Sequence, residues 1–397
     1  MHWRNSRNIQ AICFGVTLIL VLGWAALRPP IIALSSKAES SPQNFGALPI
    51  ATQTTIASAQ GGKLFAPPRG DTRLVVISDL NSAYGSTSYE PEVTKALQLM
   101  PFWQPDMVIC SGDMVAGQKS TLSEEQIQAM WTAFDQQIMK PLRETNMPYG
   151  FTLGNHDASS ALGPQKTFLF AKERNLAAEY WQAPQHDPGL DFIDRQDFPF
   201  YYTFKFQDIF FLAWDGSSDY IPPEKLDWVE QALSSPEARQ AKLRILLGHL
   251  PLYAVAVGRN KPGEVMRNAD ALRALLEKYD VHTYISGHHH AYYPAHRGNL
   301  QLLHTGNLGA GPRSLIDSNL PRRQTITVLD IFFDLPEKTV YTTYDLNTLD
   351  VIAAQQLPRF LMGHNGILLR RDVAAKDLTP AEKANCNRRL DGQRCQP

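Results

Sequence analysis

The chain has 397 residues, of which 44% are hydrophobic and 19% are charged, and its formal net charge at pH 7 is −1. This length fits one large domain with extensions, and this composition excludes a wholly disordered chain and a multi-pass membrane protein. Because the net charge is close to zero, no global field attracts nucleic acid or an anionic membrane, and no nucleic-acid-binding surface is evident. Recognition is therefore left to a local site, and the sequence indicates no protein partner.

The N-terminal segment, residues 1–30, differs from the rest of the chain. Arg4 and Arg7 precede an uncharged apolar stretch at residues 9–27, which is long enough to span a bilayer and longer than the usual core of a signal peptide. The pattern favours an uncleaved membrane anchor, and a signal peptide cleaved near residues 33–35 is the alternative. The basic residues ahead of the stretch predict a body outside the cytoplasm, membrane-anchored or secreted, in a bacterial periplasm or at a cell surface.

Residues 31–70 are rich in Ser, Ala, Thr, Gln and Pro and show no lasting helical or alternating period. This composition predicts a flexible linker. The body that follows, residues 71–365, alternates short β-branched runs with longer amphipathic ones, which predicts a layered α/β sandwich with mixed sheets.

The elements of this body can be predicted in chain order. The predicted strands include LVVIS, MVICS, YGFTLG, RILLGH and HTYISGH, and the predicted helices include SEEQIQAMWTAFDQQIMKPL, PPEKLDWVEQAL and NADALRALLEKYD. One hairpin is expected to turn at Gln207 and Asp208, and a second is formed by QTITVLDIFFD and KTVYTTYDL.

The C-terminal tail, residues 366–397, contains Cys386 and Cys395 at the ends of a short polar loop. We predict a disulfide between them, which suits an oxidising compartment, and two free surface thiols are the alternative. Cys13 lies in the apolar N-terminal stretch and Cys110 is expected to be buried, so the four cysteines do not form a zinc-finger pattern.

Side chains that can bind metals follow five of the predicted strands. The strand ends read SDLN, SGD, LGNHD, LGHLP and SGHHH, and they supply Asp79, Asn81, Asp113, Asn155, His156, Asp157, His249, His288, His289 and His290. Open α/β sheets bind ligands at the carboxyl ends of their strands, so these side chains are expected to lie close together. If the backbone is extended there, alternation places Asp79 with Asn81 and His288 with His290, and His289 faces away.

The chemistry of this residue set indicates a metal site. Carboxylates and imidazoles without cysteine suit Mn, Fe or Zn rather than calcium or a structural zinc. Two such ions with a bridging carboxylate clamp a phosphate ester and lower the pKa of a shared water, which provides hydroxide for attack on phosphorus. The residues therefore predict phosphoester hydrolysis.

The order of these motifs resembles that of the calcineurin-like metallophosphoesterases. Their signature, D-x-H, G-D, G-N-H-D/E, G-H and G-H-x-H, reads here as DLN, GD, GNHD, GH and GHHH. The resemblance implies two mixed β-sheets packed face to face and flanked by helices, and hydrolysis of phosphate mono- or diesters by a metal-bridging hydroxide. The ligand set that it implies is Asp79 and His290 at the first metal, Asp113 as the bridge, and Asn155, His249 and His288 at the second metal. It further implies that His156 contacts the phosphate or protonates the leaving oxygen and is oriented by Asp157.

Asn81 departs from the signature, because the family usually has histidine at this position. An amide oxygen is a weaker donor than imidazole, so the first metal site is then looser or selects a harder ion such as Mn²⁺. This departure favours an alternative function, a catalytically silent exported metal-binding protein on the same scaffold.

A later loop, LLHTGNLGAGPRS, supplies His304 and Arg313 as candidate contacts of the substrate phosphate. A surface salt bridge is the alternative for Arg313. Aromatic residues in the flanking loops, among them Tyr84, Trp181 and Tyr253, either stack on a nucleobase or lie half-buried at the surface. Nucleotides, sugar phosphates, cyclic nucleotides and lipid head groups all remain open as substrates.

Overall fold

The computed structural model describes residues 48–335 and 338–397. The predicted membrane segment at residues 1–30 lies outside these residues. Within the part that is described, no helix combines the length and the apolar character needed to cross a bilayer.

Fourteen strands are present in the described residues, and they form two sheets. In chain order, β1 to β14 are Thr72–Ile77, Met107–Cys110, Tyr149–Phe151, Asp191–Asp197, Tyr201–Phe206, Ile209–Ala213, Leu243–Leu247, Thr283–Ser286, Tyr293–Arg297, Leu300–His304, Thr325–Ile331, Val340–Asp345, Phe360–Gly363 and Gly366–Arg370. The first sheet has the order β12-β11-β1-β2-β3, and the second has the order β13-β14-β9-β10-β8-β7-β6-β5-β4.

Both sheets are mixed. In the first, β1, β2 and β3 are parallel while β11 and β12 run antiparallel to their neighbours. In the second, β6, β7, β8 and β10 are parallel and the outer strands are antiparallel. The two predicted hairpins are β5–β6 and β11–β12. The parallel strands read as continuous apolar runs because both of their faces are covered, and β1 is buried at all six positions.

Ten α-helices lie in the described residues. In chain order, α1 to α10 are Ile50–Ala57, Pro91–Trp103, Glu124–Phe134, Lys140–Glu144, Asn155–Ala158, Ala171–Gln182, Pro223–Leu233, Pro236–Gln240, Ala269–Lys278 and Pro380–Arg389. A π-helical turn, Asp135–Met139, joins α3 to α4. Since α2 connects β1 to β2 and α9 connects β7 to β8, these helices are the crossovers that parallel neighbours require.

One hydrophobic core joins the two sheets. The rings of Phe151 in β3 and Tyr202 in β5 lie 5.7 Å apart, and the backbone N–H of Phe151 donates to the Tyr202 hydroxyl at 3.2 Å. Near the same end of the sheets, the Thr152 hydroxyl donates to the carbonyl of Trp214 at 2.8 Å. The fold is therefore the predicted α/β sandwich of two mixed sheets flanked by helices.

Two of the predicted boundaries are corrected by the structure. The predicted linker at 31–70 contains α1, whose Thr52 and Ile56 are buried and whose Thr52 hydroxyl donates to the carbonyl of Gln98 at 2.6 Å. The predicted tail at 366–397 begins inside the second sheet, because β14 pairs with both β13 and β9. Neither α1 nor β14 was expected from the sequence pattern, and tertiary contacts order both elements.

The end of the chain is covalently closed. Cys386 of α10 and Cys395 are joined by a disulfide, and Cys386 packs in a small apolar cluster with residues of β13 and β14. Cys110 is buried and free.

A buried ion pair fixes β1 against β11. The Nε of Arg73 lies 2.8 Å from Oδ1 of Asp330, and the two residues are 2% and 0% exposed. The same carboxylate oxygen accepts the backbone N–H of Gly70 at 2.9 Å. Both charges are thus removed from water and depend on each other.

We expect Asp330→Ala to lower the free energy of unfolding by about 3–5 kcal/mol, because it leaves the Arg73 guanidinium buried without its partner. The control Asp191→Ala removes an exposed ion pair with Lys205, and it should cost less than about 1 kcal/mol. Urea unfolding of both variants measures the difference. Equal losses in the two variants would contradict this role of the buried pair.

Candidate metal centre

The carboxyl ends of five parallel strands, three from one sheet and two from the other, meet at one place. Within the first sheet, the backbone N–H of Asp79 after β1 donates to the carbonyl of Gly112 after β2 at 2.9 Å. Between the sheets, the backbone N–H of His288 after β8 reaches the carboxylate of Asp79 at 3.1 Å. The segments that follow these strands therefore form a single cluster, as the strand-end pattern predicts.

The backbone of this cluster is not extended. Four of the predicted ligands have left-handed φ values, namely Asp79 at 49°, Asp113 at 56°, His288 at 62° and His290 at 50°. The extended backbone, with side chains on alternate faces, that was predicted for the DLN and GHHH segments is therefore wrong. The side chains of Asp79 and His290 nevertheless converge. Non-glycine residues adopt this region at a cost in free energy, and such residues concentrate at functional sites.

Two glycines allow the segments to approach each other closely. A Cβ at Gly154 would lie 2.1 Å from Oδ1 of Asp113, and a Cβ at Gly287 would lie 2.2 Å from Oγ of Ser78. No larger residue fits at either position. Gly154 and Gly287 are thus explained by space rather than by backbone freedom.

The donor atoms of Asn155, His249 and His288 form one group. Oδ1 of Asn155 lies 2.9 Å from Nε2 of His249 and 2.8 Å from Nδ1 of His288. Oδ2 of Asp113 lies 3.3 Å from the same nitrogen of His249. Two donors that each lie about 2 Å from one cation, at angles of about 90–110°, are roughly 2.8–3.4 Å apart. The spacing of this group therefore fits a divalent cation.

Asp79 and His290 form a second group next to the first. Nε2 of His290 lies 3.2 Å from Oδ1 of Asp79. One ligand atom each from Asp79, Asp113 and His249 lie within 4.8 Å of one another, which brings Asp113 close to both groups. Asn81 is also buried here, and its side chain makes no hydrogen bond with the described residues.

Each imidazole of the cluster is held at its other nitrogen by an oxygen atom. Nδ1 of His249 lies 2.8 Å from the carbonyl of Ser111, and Nδ1 of His290 lies 3.1 Å from the carbonyl of Gly311. Nε2 of His288 lies 2.9 Å from a carboxylate oxygen of Glu264. Because each held nitrogen donates its proton to that oxygen, the facing nitrogen keeps its lone pair for a cation.

The amide of Asn155 is oriented in the same way. Its Nδ2 donates to Oε1 of Gln118 at 2.6 Å, which turns Oδ1 toward His249 and His288. Gln118 is itself held by its backbone N–H, which donates to Glu173 at 2.8 Å. Hydrogen bonds within the protein thus orient all three donors of the group formed by Asn155, His249 and His288.

The electrostatics of the cluster are those of a buried charged site. Burial would raise the pKa of Asp113, but the imidazoles of His249 and His156 lower it below its ordinary value. Burial would also raise the pKa of Asp79, but the imidazole of His290 lowers it below its ordinary value. For His249, burial favours the neutral ring, yet the carboxylate of Asp113 raises its pKa to about 9. Both carboxylates are thus held ionised by neighbouring positive charge, which the imidazoles supply while they are protonated and which a bound cation would supply in their place.

His156 lies at the edge of the cluster and is oriented by Gly117. Its Nδ1 is 3.0 Å from the carbonyl of Gly117, and its Nε2 is 4.0 Å from Oδ2 of Asp113. The exposed ring of Tyr84 lies 5.2 Å from the His156 ring. His156 is therefore placed where a bound phosphate ester could reach it.

Asp157 does not orient His156, which corrects the role implied by the resemblance. Its carboxylate accepts four backbone N–H groups at 2.7–2.9 Å, from Asp113, Met114, Val115 and Gly154. Burial and the charge of Asp113 raise the pKa of Asp157 to about 7. The residue holds the turn that carries Asp113, so its contribution is to position that turn.

The two predicted substrate contacts lie in different environments. His304 is 1% exposed in β10, where its Nδ1 lies 3.2 Å from the carbonyl of Tyr293. This core position excludes a substrate contact at the surface and corrects that assignment. Arg313 is half-buried, and its backbone N–H donates to the carbonyl of His290 at 2.9 Å, so it lies beside the cluster.

Other side chains of the notable sequence patterns are structural. His289 faces away from the donor atoms, as predicted, although the backbone here is not extended. Its Nδ1 accepts the backbone N–H of Val255, and its Nε2 contacts the carbonyl of Glu264. Trp181 and Tyr253 are fully buried in the core. Of the aromatic residues considered for stacking on a substrate, Tyr84 is the one that is exposed next to His156.

Sequence reasoning missed Glu264 and Gln118. Both lie in loops without a recognisable motif, more than 20 positions from the ligands they orient. The only signal is their residue type, which is too common in loops to identify them. Their roles are visible only when the loops are placed against the cluster.

We expect Glu264→Ala to weaken metal affinity about 10–100-fold, because it removes the oxygen that fixes the ring of His288. The matched control is Glu277→Ala, which removes a Glu–Arg pair of 2.7 Å in α9. Competition against a fluorescent chelator for Mn²⁺ or Zn²⁺ measures both affinities. Equal affinities in Glu264→Ala and the unmodified protein would refute this role of Glu264.

Comparison with solved structures supports the fold. The purple acid phosphatase PPD1 from yellow lupin (Lupinus luteus) seeds is 18% identical, with a TM-score of 0.52 over 72% of this chain and 54% of that chain. GAP50, the anchor in the inner membrane complex of Plasmodium, is 14% identical, with a TM-score of 0.45 over 80% of this chain and 94% of that chain. A dimetal phosphatase from Danio rerio is 12% identical, with a TM-score of 0.41 over 66% of this chain and 93% of that chain. The chain thus spans about half the length of the lupin enzyme, and at 18% identity this likeness shows the fold alone.

Comparison of the sequence itself is more specific. No curated protein matches the chain. The family model for calcineurin-like phosphoesterases matches residues 72–292, which is more than half of the chain and includes all seven predicted metal ligands. The chain therefore belongs to the calcineurin-like phosphoesterase family.

Proposed function

We propose that the protein hydrolyses phosphate mono- or diesters at a centre of two divalent metal ions, Mn, Fe or Zn. The observation that carries the proposal is the set of three imidazoles, each held by an oxygen at one nitrogen and facing carboxylate or amide oxygens with the other. Structural histidines in a protein core have no reason to share this arrangement. Membership of a metal-dependent phosphoesterase family supports the same chemistry.

The two groups of donors give the expected division of ligands. Asp79, Asn81 and His290 would hold the first metal, Asn155, His249 and His288 the second, and Asp113 would bridge them. The spacing of 2.8–3.3 Å within the groups supports this division. Oxygen and nitrogen donors without thiolate suit Mn, Fe or Zn.

Each part of the site has a separate task in the reaction. Two divalent cations would polarise the phosphate ester and lower the pKa of a shared water. The buried carboxylates of Asp79 and Asp113 balance the positive charge. The Nδ1–H of His156 stays on the carbonyl of Gly117, so a protonated ring presents its Nε2–H to the leaving oxygen and acts as general acid.

The environment of Asn81 bears on the choice between this function and a silent metal-binding protein. Its backbone N–H donates to the carbonyl of Asp113 at 3.3 Å and its carbonyl accepts from Ala310 at 3.0 Å, while its side chain makes no hydrogen bond with the described residues. The buried amide is therefore available to a cation and is not used up in an Asx turn. This supports a complete ligand set at the first metal.

Location outside the cytoplasm stays a prediction. The disulfide between Cys386 and Cys395 supports it, because such bonds persist in oxidising compartments.

We expect the purified protein to release 4-nitrophenol from 4-nitrophenyl phosphate or its bis ester. This hydrolysis should stop when a chelator is added and return when Mn²⁺ is added. Asp113→Asn should lose both metals and nearly all activity, because one carboxylate serves both groups, and the exposed control Asp191→Asn should keep them. Metal analysis by mass spectrometry accompanies the assay. At most one metal per chain, without hydrolysis of any ester class, would favour the silent protein.

We expect His156→Ala to keep its metal content and to lose about 10²–10⁴-fold in kcat, because it removes a proton donor and no ligand. The loss should be smaller for 4-nitrophenyl esters, whose leaving group needs little protonation, than for alkyl esters. Full activity of this variant on every ester would exclude the general-acid role.

A further inference from the structure

Two loops bring arginines to one side of the metal centre. The segment after β7 and the segment after β10 run side by side, where the backbone N–H of Val257 donates to the carbonyl of Ser314 at 2.9 Å. Arg259 and Arg313 lie next to this paired stretch of backbone. An Nη1 of Arg259 lies 3.2 Å from Nε2 of His288, and the backbone of Arg313 is bonded to that of His290.

The two guanidinium groups are not equally paired. Arg259 forms an ion pair with Glu264, which also holds His288. Arg313 forms no ion pair or side-chain hydrogen bond with the described residues, and its Nε is buried without a partner. Burial, followed by the charge of Arg259, lowers the pKa of Arg313. A half-buried unpaired cation beside other cations is unfavourable unless an anion joins it.

A cleft lies beside Arg313. Its walls are Ala291, Tyr292, Arg313, Leu315, Leu320, Pro321, Arg323, Thr325, Ile352 and Leu357, and none of the seven predicted metal ligands is among them. The anion that it fits is therefore distinct from the phosphate held over the metals. The cleft is partly open to solvent, and its volume of about 30 Å³ suits a small group better than a nucleobase ring.

Two further residues that line this cleft have a buried polar atom without a hydrogen-bond partner in the described part of the chain. The hydroxyl of Thr325, a residue only 3% exposed, has no hydrogen bond in the described part of the chain. Nε of Arg323 also lacks a hydrogen bond, although it lies 3.4 Å from a carboxylate oxygen of Asp345. Buried polar atoms normally have a hydrogen-bond partner, so a lining with several unpartnered ones is a place where a polar ligand could bind.

We propose that Arg313, Arg323 and Thr325 form a subsite for a second anionic group of the substrate, a carboxylate or a phosphate. This inference rests on the proposed function, because it describes the part of the substrate beyond the scissile phosphate. Planar guanidinium groups with free N–H donors match the oxygen pairs of both anions. The preferred substrates are then small phosphate esters that carry a second negative charge.

The test compares ligands that are not hydrolysed, by calorimetry on the Mn²⁺-loaded protein. Methylphosphonate carries one anionic group, phosphonoacetate adds a carboxylate, and methylenediphosphonate adds a phosphonate. We expect at least one of the two larger ligands to bind at least about tenfold more tightly than methylphosphonate. Arg313→Ala should reduce that ratio about tenfold, Arg313→Lys should restore part of it, and the control Arg267→Ala, which loses an exposed pair with Asp219, should leave it unchanged.

Each outcome has a defined meaning. A preference for phosphonoacetate assigns the subsite to a carboxylate, and a preference for methylenediphosphonate assigns it to a phosphate. No preference in the unmodified protein, or a ratio that survives Arg313→Ala, overturns the subsite. Absence of hydrolysis on any ester, with these binding ratios intact, overturns the proposed function and leaves the subsite standing.

Discussion

The centre of this protein depends on the pairing of every imidazole with an oxygen outside the donor cluster. Ser111, Gly311 and Glu264 each hold one ring nitrogen of His249, His290 and His288 in turn. Without these contacts each ring could rotate or change tautomer, and its lone pair would leave the cluster. With them, the site is directed toward cations by the folded chain alone. The role of the fold is to bring these oxygens to their positions.

The fold does so by ending parallel strands from two sheets at one place. The strands themselves are ordinary apolar runs, buried on both faces. Beyond their ends the backbone turns through left-handed conformations at Asp79, Asp113, His288 and His290, and the four N–H groups on Asp157 hold the turn of Asp113. The cost of these conformations is met by the hydrogen bonds of the turns and by the core that joins the sheets. Rigid strands and strained ends are thus two parts of one arrangement, because the strain persists only where its surroundings fix it.

Much of this was predictable from the sequence, because it depends on local signals. Apolar runs with glycine and polar residues at their ends identify the strands β1, β2, β3, β7 and β8, and the order of the motifs indicates the family. What could not be predicted depends on contacts between distant segments. The resemblance to the family implied that Asp157 orients His156, but its carboxylate accepts backbone N–H groups of the turn that carries Asp113. His304 lies beside glycines in the sequence, yet register in β10 places it in the core. Glu264 and Gln118 have no local signature, and α1 is ordered by its contact with α2 and not by its composition.

The arginines beside the centre extend the same reasoning to the substrate. Two divalent cations would already balance the carboxylates of the site and one phosphate. The additional unpaired guanidinium of Arg313 is then explained if the ligand carries more negative charge than one phosphate. On the proposed function, Arg313 and the cleft that it lines would connect the chemistry of the centre with the choice of substrate.

The central claim is that two cations bind around Asp113, and anomalous scattering from a crystal of the Mn²⁺-loaded protein tests it most directly. The account predicts two anomalous peaks that share Oδ2 or Oδ1 of Asp113, one bounded by Asp79 and His290 and the other by Asn155, His249 and His288, each about 2 Å from its donors. A map without a peak at Asp113, or with cations bound only elsewhere on the protein, would contradict it.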